Sequence, residues 1–284
     1  MQIRAGYNLG FETFGPTPIN FLLSVVPERR RDLLTSENIR FNPSVPVRQE
    51  LDVFGNVVTR IVAPGGRLEV STDFLIADTG RPDDCAPSAR EIPVQELPNH
   101  VLPFLLGSRY CETEKLSQLA WNVFGSSWRG WQRVQTVADY VHNRLRFDYQ
   151  KADATRTAAE ANMQQVGVCR DFAHLAITFC RCLNIPARYA TGYLGDIGVP
   201  RDPAPMDFSA WFEVFLQGPE GLRWYTFDAR HNHSRIGRIV MARGRDAMDC
   251  ALSTSFGTAL LGQFKVHTDE VLESFGINRQ AFAA

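Results

Sequence analysis

The chain has 284 residues, 44% of them hydrophobic, and its 30 Lys and Arg nearly balance 31 Asp and Glu for a formal net charge of -1. It is long enough to bury real cores, and it lacks the charged footprint that nucleic acid or a membrane surface would need. The one basic run, Arg29-Arg30-Arg31, lies between Glu28 and Asp32 and reads as a solvated turn. The six cysteines (Cys85, Cys111, Cys169, Cys180, Cys182, Cys250) form no CxxC pair and no framework spacing. Neither zinc, a disulfide scaffold nor any cofactor is therefore expected. The first residues begin no charged-then-apolar leader, and no apolar run approaches bilayer length. The expected setting is a reducing cytoplasm with no membrane or nucleic-acid partner.

From Met1 to about Asp83 the signals are those of strands. Segments 19–26, 51–62 and 68–76 are rich in β-branched and aromatic residues bounded by turn formers, and Gly55-Asn56 reads as a hairpin turn. An antiparallel sandwich is the simplest arrangement. The turn-rich passage Thr79 to Pro87 is the best linker, which sets a β-rich domain at 1–85 and a second domain at 86–284. Beyond it the period changes. Segments 114–124 and 130–145 read as helices, the second with Trp131, Val134, Ala138, Val141 and Leu145 along one stripe. Helical spacing alone explains these aromatic residues as core.

The stretch from Gly167 to Leu183 predicts a buried helix, with Phe172, Leu175, Ala176, Phe179 and Leu183 on one stripe and Asn184-Ile185-Pro186 as its stop. Cys169 falls in its first turn, where unpaired N–H groups and the positive end of the helix dipole favour an anion such as a thiolate. That position predicts a thiol pKa below the ordinary value of about 8.5. Free cysteines usually fill core space, and Cys180 and Cys182 fit that role. Cys169 precedes the apolar stripe and adjoins Arg170 and Asp171, which marks it as a candidate nucleophile.

After this helix come a strand at 187–194, a Gly/Pro-rich loop at 195–206 that could overhang a cleft, and two strands at 207–216 and 222–228 that suit an antiparallel hairpin. A period of two sets Ser209, Trp211 and Glu213 on one face of the first strand, and Trp224, Thr226 and Asp228 on one face of the second. Ser209 begins its strand and Asp228 ends its own, so both fall at the same rim. The tail suggests a strand at 236–242 and a short helix at 268–275.

The motifs GVCRDFA, IPARYATGY, SAWFEVF and WYTFDAR, taken together over about residues 110–265, resemble the transglutaminase-like superfamily in its bacterial cysteine-protease branch. The resemblance implies an α+β fold, an N-terminal β-sandwich followed by a papain-like transglutaminase core, and a Cys, His, Asp triad in that chain order. Carried over by motif, the nucleophile is Cys169 and the orienting acid is Asp228. The base of the family precedes Ala-Trp on the first hairpin strand, and here that position is Ser209. A serine hydroxyl does not change protonation near neutral pH, so it cannot take the thiol proton, and Asp228 is left with no imidazole to orient.

Three accounts stay open: a replaced histidine, a natural pseudoenzyme, and rescue by another histidine. His174 turns to a different helix face, and nothing in the spacing obliges His231 or His233 to fold back. The activity implied by the resemblance is thiol-dependent acyl transfer on an amide or peptide carbonyl through a thioester, with water or an amine as acceptor and a peptide or protein as substrate. Backbone N–H groups at the start of the cysteine helix are natural oxyanion donors. The alternative is a non-catalytic peptide-binding protein that uses the same cleft.

Overall fold

Alternate burial along β5 and β6 shows how the N-terminal sheets form, because every second side chain turns into one apolar core. In this computed structural model, which describes residues 1–271, the first six strands are β1 (Gln2–Thr13), β2 (Thr17–Phe21), β3 (Arg40–Asn42), β4 (Arg48–Leu51), β5 (Val57–Ala63) and β6 (Gly66–Ala77). β4 and β5 pair antiparallel around the turn containing Gly55-Asn56, as the hairpin signal predicts. Asp52 closes that turn by accepting the N–H groups of Phe54 and Asn56. β1 and β6 pair along their whole lengths. The long β1 has no clean alternation in its sequence, since it is buried at most positions.

The helical part follows with α1 (Thr113–Phe124), α2 (Trp131–Arg144), β7 (Arg146–Phe147), α3 (Ala158–Gln164), β8 (Val166–Gly167) and α4 (Cys169–Cys182). The two short strands β7 and β8 pair parallel just before α4. α3 begins with a capping box in which Thr157 and Glu160 satisfy each other's backbone N–H groups. Every residue of α4 from Asp171 to Cys182 is buried, because α1, α2, α3 and a sheet surround it. An all-round buried helix must satisfy its polar groups internally. Arg181 does so by donating to the carbonyls of Leu106, Ala187 and Arg245 and to the Ser108 hydroxyl.

The third sheet uses β9 (Ala187–Tyr193), β10 (Ser209–Gly218), β11 (Gly221–Phe227) and β12 (Ile239–Gly244), in the antiparallel order β11-β10-β9-β12. Ala210, Phe212, Val214 and Leu216 of β10 share a core with α4. Tyr193, Ile239 and Met241 reach the other way, into the same core as Ile3, Phe21 and Phe74 of the N-terminal strands. The sheet therefore stands between the cysteine helix and the sandwich.

The chain then returns to where it began. β13 (Ser253–Ser255) pairs with β2, and β14 (Ala259–Glu270) pairs with β1. The two N-terminal sheets are consequently β14-β1-β6-β3 and β13-β2-β5-β4. The expected helix at 268–275 is corrected in its first part, since Thr268–Glu270 continue β14, where β1 offers an unpaired edge. Its last residues lie outside the described ones. No helix among the described residues is long and apolar enough to cross a membrane.

Candidate active site

The first turn of α4 is held by a carboxylate. Asp171 accepts the Val168 N–H at 2.9 Å and pairs with Arg156 at 3.1 Å, with both side chains buried. Gly167 makes room for it, since a Cβ there would stand 2.6 Å from the Asp171 side chain. Cys169 is thereby fixed as the first residue of the helix, half-buried and free of any disulfide.

The expectation of a lowered thiol pKa is corrected: burial pushes the Cys169 thiol up to about 11, with Asp207 and Asp228 adding to the rise. Arg230 and the Ala210 backbone N–H act in the opposite direction. Removal of the sulfur from water outweighs the helix start. The same causes show that Cys169 lies beside the first residues of β10, within electrostatic reach of Asp228.

Ser209 opens β10 opposite Gly192 of β9. It is buried, and its Oγ has no hydrogen-bond partner among the described residues. The hairpin register runs from Gly218–Gly221 back to Phe212–Phe227. Continued by one pair, it sets Asp228 opposite Trp211, on the face that Ser209 shares. The period of two in the sequence thus brings Ser209 and Asp228 to one rim of the sheet.

Asp228 is fully engaged. Its Oδ1 accepts the N–H groups of Arg230 and His231, both at 3.0 Å, and its Oδ2 accepts from Arg238 Nη2 and meets His231 Nδ1, both at 2.9 Å. Burial by itself would raise this carboxyl, yet Arg238 and the bonds from His231 hold it well below the usual carboxylate range. The expectation that Asp228 has no imidazole to orient is therefore corrected, because the chain turns sharply after β11 and carries His231 back. Asn232, at φ 53°, completes that turn by donating its N–H to the Asp228 carbonyl at 2.7 Å.

His174 does not join the site. It is buried, stacks on Tyr110 with ring centroids 5.1 Å apart, and accepts the Ala247 N–H through Nε2.

Ser209 and His231 line one cleft of about 270 Å³, with Tyr149, Asp207 and Arg230 around them. Arg201, Asp202 and residues 204–206 of the Gly/Pro-rich loop also line it, as does His267 of β14. The Arg230 guanidinium lies 3.8 Å from the centre of the Phe147 ring, which keeps a cation near the Cys169 sulfur. Sequence reasoning did not single out Arg230 or His267. A signal for His231 existed in the spacing Asp-x-x-His directly after a strand, which is the reach of one turn. Among the described residues, no group of three or more His, Cys, Asp or Glu side chains is arranged to hold a metal ion.

A cysteine at a helix start, packed against an antiparallel sheet whose rim holds a buried aspartate, defines a papain-like architecture of the kind used by thiol-dependent acyl-transfer and protease families. Residues 118–229 match the core of the transglutaminase-like superfamily. A crystal structure from Cytophaga hutchinsonii, described as that of a "Putative Cysteine Protease", superposes with a TM-score of 0.81 at 27% identity, covering 97% of this chain and 92% of that one. An uncharacterized protein of Mycobacterium tuberculosis is 32% identical over 110 residues, which is 36% of this chain and 35% of the relative. One from Mycobacterium leprae is 26% identical over 125 residues, 42% of each. The match thus spans less than half the length of these curated relatives.

Proposed function

We propose that the cleft carries out thiol-dependent acyl transfer on an amide or peptide carbonyl, with Cys169 as nucleophile. The observation that carries this reading is the meeting of three sequence-distant features at one rim: the first turn of α4, the start of β10 and the end of β11. In the first half-reaction the sulfur bonds to the carbonyl carbon, the C–N bond breaks, and the amine leaves with the proton that the thiol surrendered. Water or a second amine then adds to the thioester, the C–S bond breaks, and the sulfur recovers a proton. N–H groups at the start of α4 are the natural donors to the developing oxyanion. The substrate on this reading is a peptide or protein.

Two observations favour a second reading, a peptide-binding protein without turnover. Ser209 stands where the family has its base, and burial holds the Cys169 thiol up at about 11. The experiment compares wild type, Cys169→Ala and Ser209→His on fluorogenic peptide amides, with and without an added primary amine. Acyl transfer predicts release of the amine product that Cys169→Ala abolishes. Peptide binding that is unchanged in Cys169→Ala, with no turnover in any of the three proteins, would establish the binding protein instead.

A further inference from the structure

We propose that the acid–base group of this cleft has moved along the chain: His231, from the loop after β11, serves Cys169 in place of a residue at position 209. The inference rests on the acyl-transfer reading above and names the group that this reading lacks. An ionised carboxylate can only accept hydrogen bonds, and the surrounding bonds keep Asp228 ionised. The 2.9 Å contact between Asp228 Oδ2 and His231 Nδ1 is then an N–H donated by the ring. The tautomer follows. With the proton on Nδ1, the lone pair sits on Nε2, the nitrogen able to accept a proton.

The ring is also held in place. The His231 backbone N–H donates to the second oxygen of the same carboxylate, and Arg238, itself anchored on Asp83, fixes that carboxylate from the far side. The side chain keeps 19% of its surface exposed, so it is clamped on one edge and open on the other. Its open side lines the same cleft as Ser209.

Residue 209 is the second observation. Its Oγ is buried without a hydrogen-bond partner among the described residues. Ser209 and the imidazole anchored by Asp228 line the same cleft, the ring coming from the loop after β11. Asp228 thus has an imidazole partner, supplied by a turn three residues beyond it and not by β10.

In the reaction, Nε2 takes the Sγ proton as the sulfur bonds to the carbonyl carbon. The imidazolium then gives that proton to the departing amine as the C–N bond breaks. In the second half Nε2 takes a proton from the attacking water or amine, and returns it to the sulfur as the C–S bond breaks. The charged and titratable groups around the ring include Asp228 at the end of β11, its neighbour Arg230, Arg238 before β12, His233 in the same loop with ring centroids 6.0 Å apart, and Tyr149, Asp207, Arg235 and His267 in the cleft lining.

The test is the rate at which iodoacetamide labels Cys169 at pH 7, followed by peptide mass mapping in wild type, His231→Gln, and His231→Gln combined with Ser209→His. His231→Gln is expected to label at least about tenfold more slowly, and the added histidine at 209 to restore the rate. The contrast shrinks as pH rises and hydroxide removes the thiol proton unaided. Cys111, Cys180 and Cys250, all buried, report folding in the same samples, since they label only if the chain opens. Equal Cys169 labelling in wild type and His231→Gln would overturn the proposal. Turnover lost in Cys169→Ala but unchanged in His231→Gln would overturn it while leaving the acyl-transfer reading intact, whereas turnover that survives in Cys169→Ala would overturn both.

Discussion

Asp171 and Asp228 are both buried, both bonded to a buried arginine, and both close to the candidate thiol, yet they spend their lone pairs differently. Asp171 accepts from Arg156, from the Val168 N–H that precedes α4, and at 3.5 Å from Arg170. All of its partners are structural, and what it secures is the start of a helix. Asp228 accepts from Arg238 and from two backbone N–H groups, but its fourth bond goes to a ring that is open to the cleft. The comparison teaches that burial and an arginine partner do not mark a carboxylate as functional. On the proposed mechanism, what distinguishes Asp228 is its bond to a ring that lines the cleft.

The largest expected effect is on rate. Asp228→Asn keeps an acceptor for the backbone N–H groups but no longer fixes the His231 tautomer, so turnover should fall by about 10²–10⁴-fold. Its stability cost should be small, because Arg238 retains Asp83 at 2.9 Å. Measuring kcat and the urea midpoint together checks this. A loss of stability without a loss of rate would move Asp228 into the same class as Asp171. The same substitution in the Ser209→His background sharpens the result, since a second imidazole then competes for the carboxylate.

Asp171→Ala should show the reverse pattern. It leaves Arg156 buried without its partner and the Val168 N–H without an acceptor, and breaking a buried pair in this way typically costs about 3–5 kcal/mol. The measurement is a shift of the unfolding midpoint. A stability loss smaller than that of Asp228→Asn would break the comparison.

The smallest expected effect concerns a third buried group near the thiol helix. Burial holds the His174 pKa well below its ordinary value, with Arg170 and Arg181 adding to the effect. Below the ordinary histidine range of about 6.5 the unfolded chain therefore binds a proton that the folded chain refuses. Its contribution to stability is complete above that range and declines as pH falls. Glu37, pushed up to about 7 by burial, acts with the opposite sign, because its contribution is complete below the ordinary carboxyl range and is lost as pH rises through about 7. The difference between wild type and His174→Gln across pH 5 to 7 isolates the histidine, and the variant should show the flatter acid limb. Turnover should follow folding alone, because His174 bonds Ala247 and not the cleft.

Much of this site is legible in the order of residues alone. The 3.6-residue stripe from Phe172 to Leu183 dictates a buried helix, so Cys169 must fall in its first turn whatever surrounds it. A period of two along a hairpin likewise sends Ser209 and Asp228 to one face and one rim, because pairing register follows from the turn at 218–221. Local rules suffice where one element's own periodicity decides the outcome. They do not reach the return of β14 onto β1, which depends on an edge formed by residues 246 to 267 positions earlier. Nor do they set the Cys169 pKa, since desolvation comes from every element packed around the sulfur at once. The fold of His231 onto Asp228 lies between these cases. The spacing permits the contact, but only the buried carboxylate, with Arg238 behind it and two N–H groups beside it, makes that one arrangement of the turn the stable one.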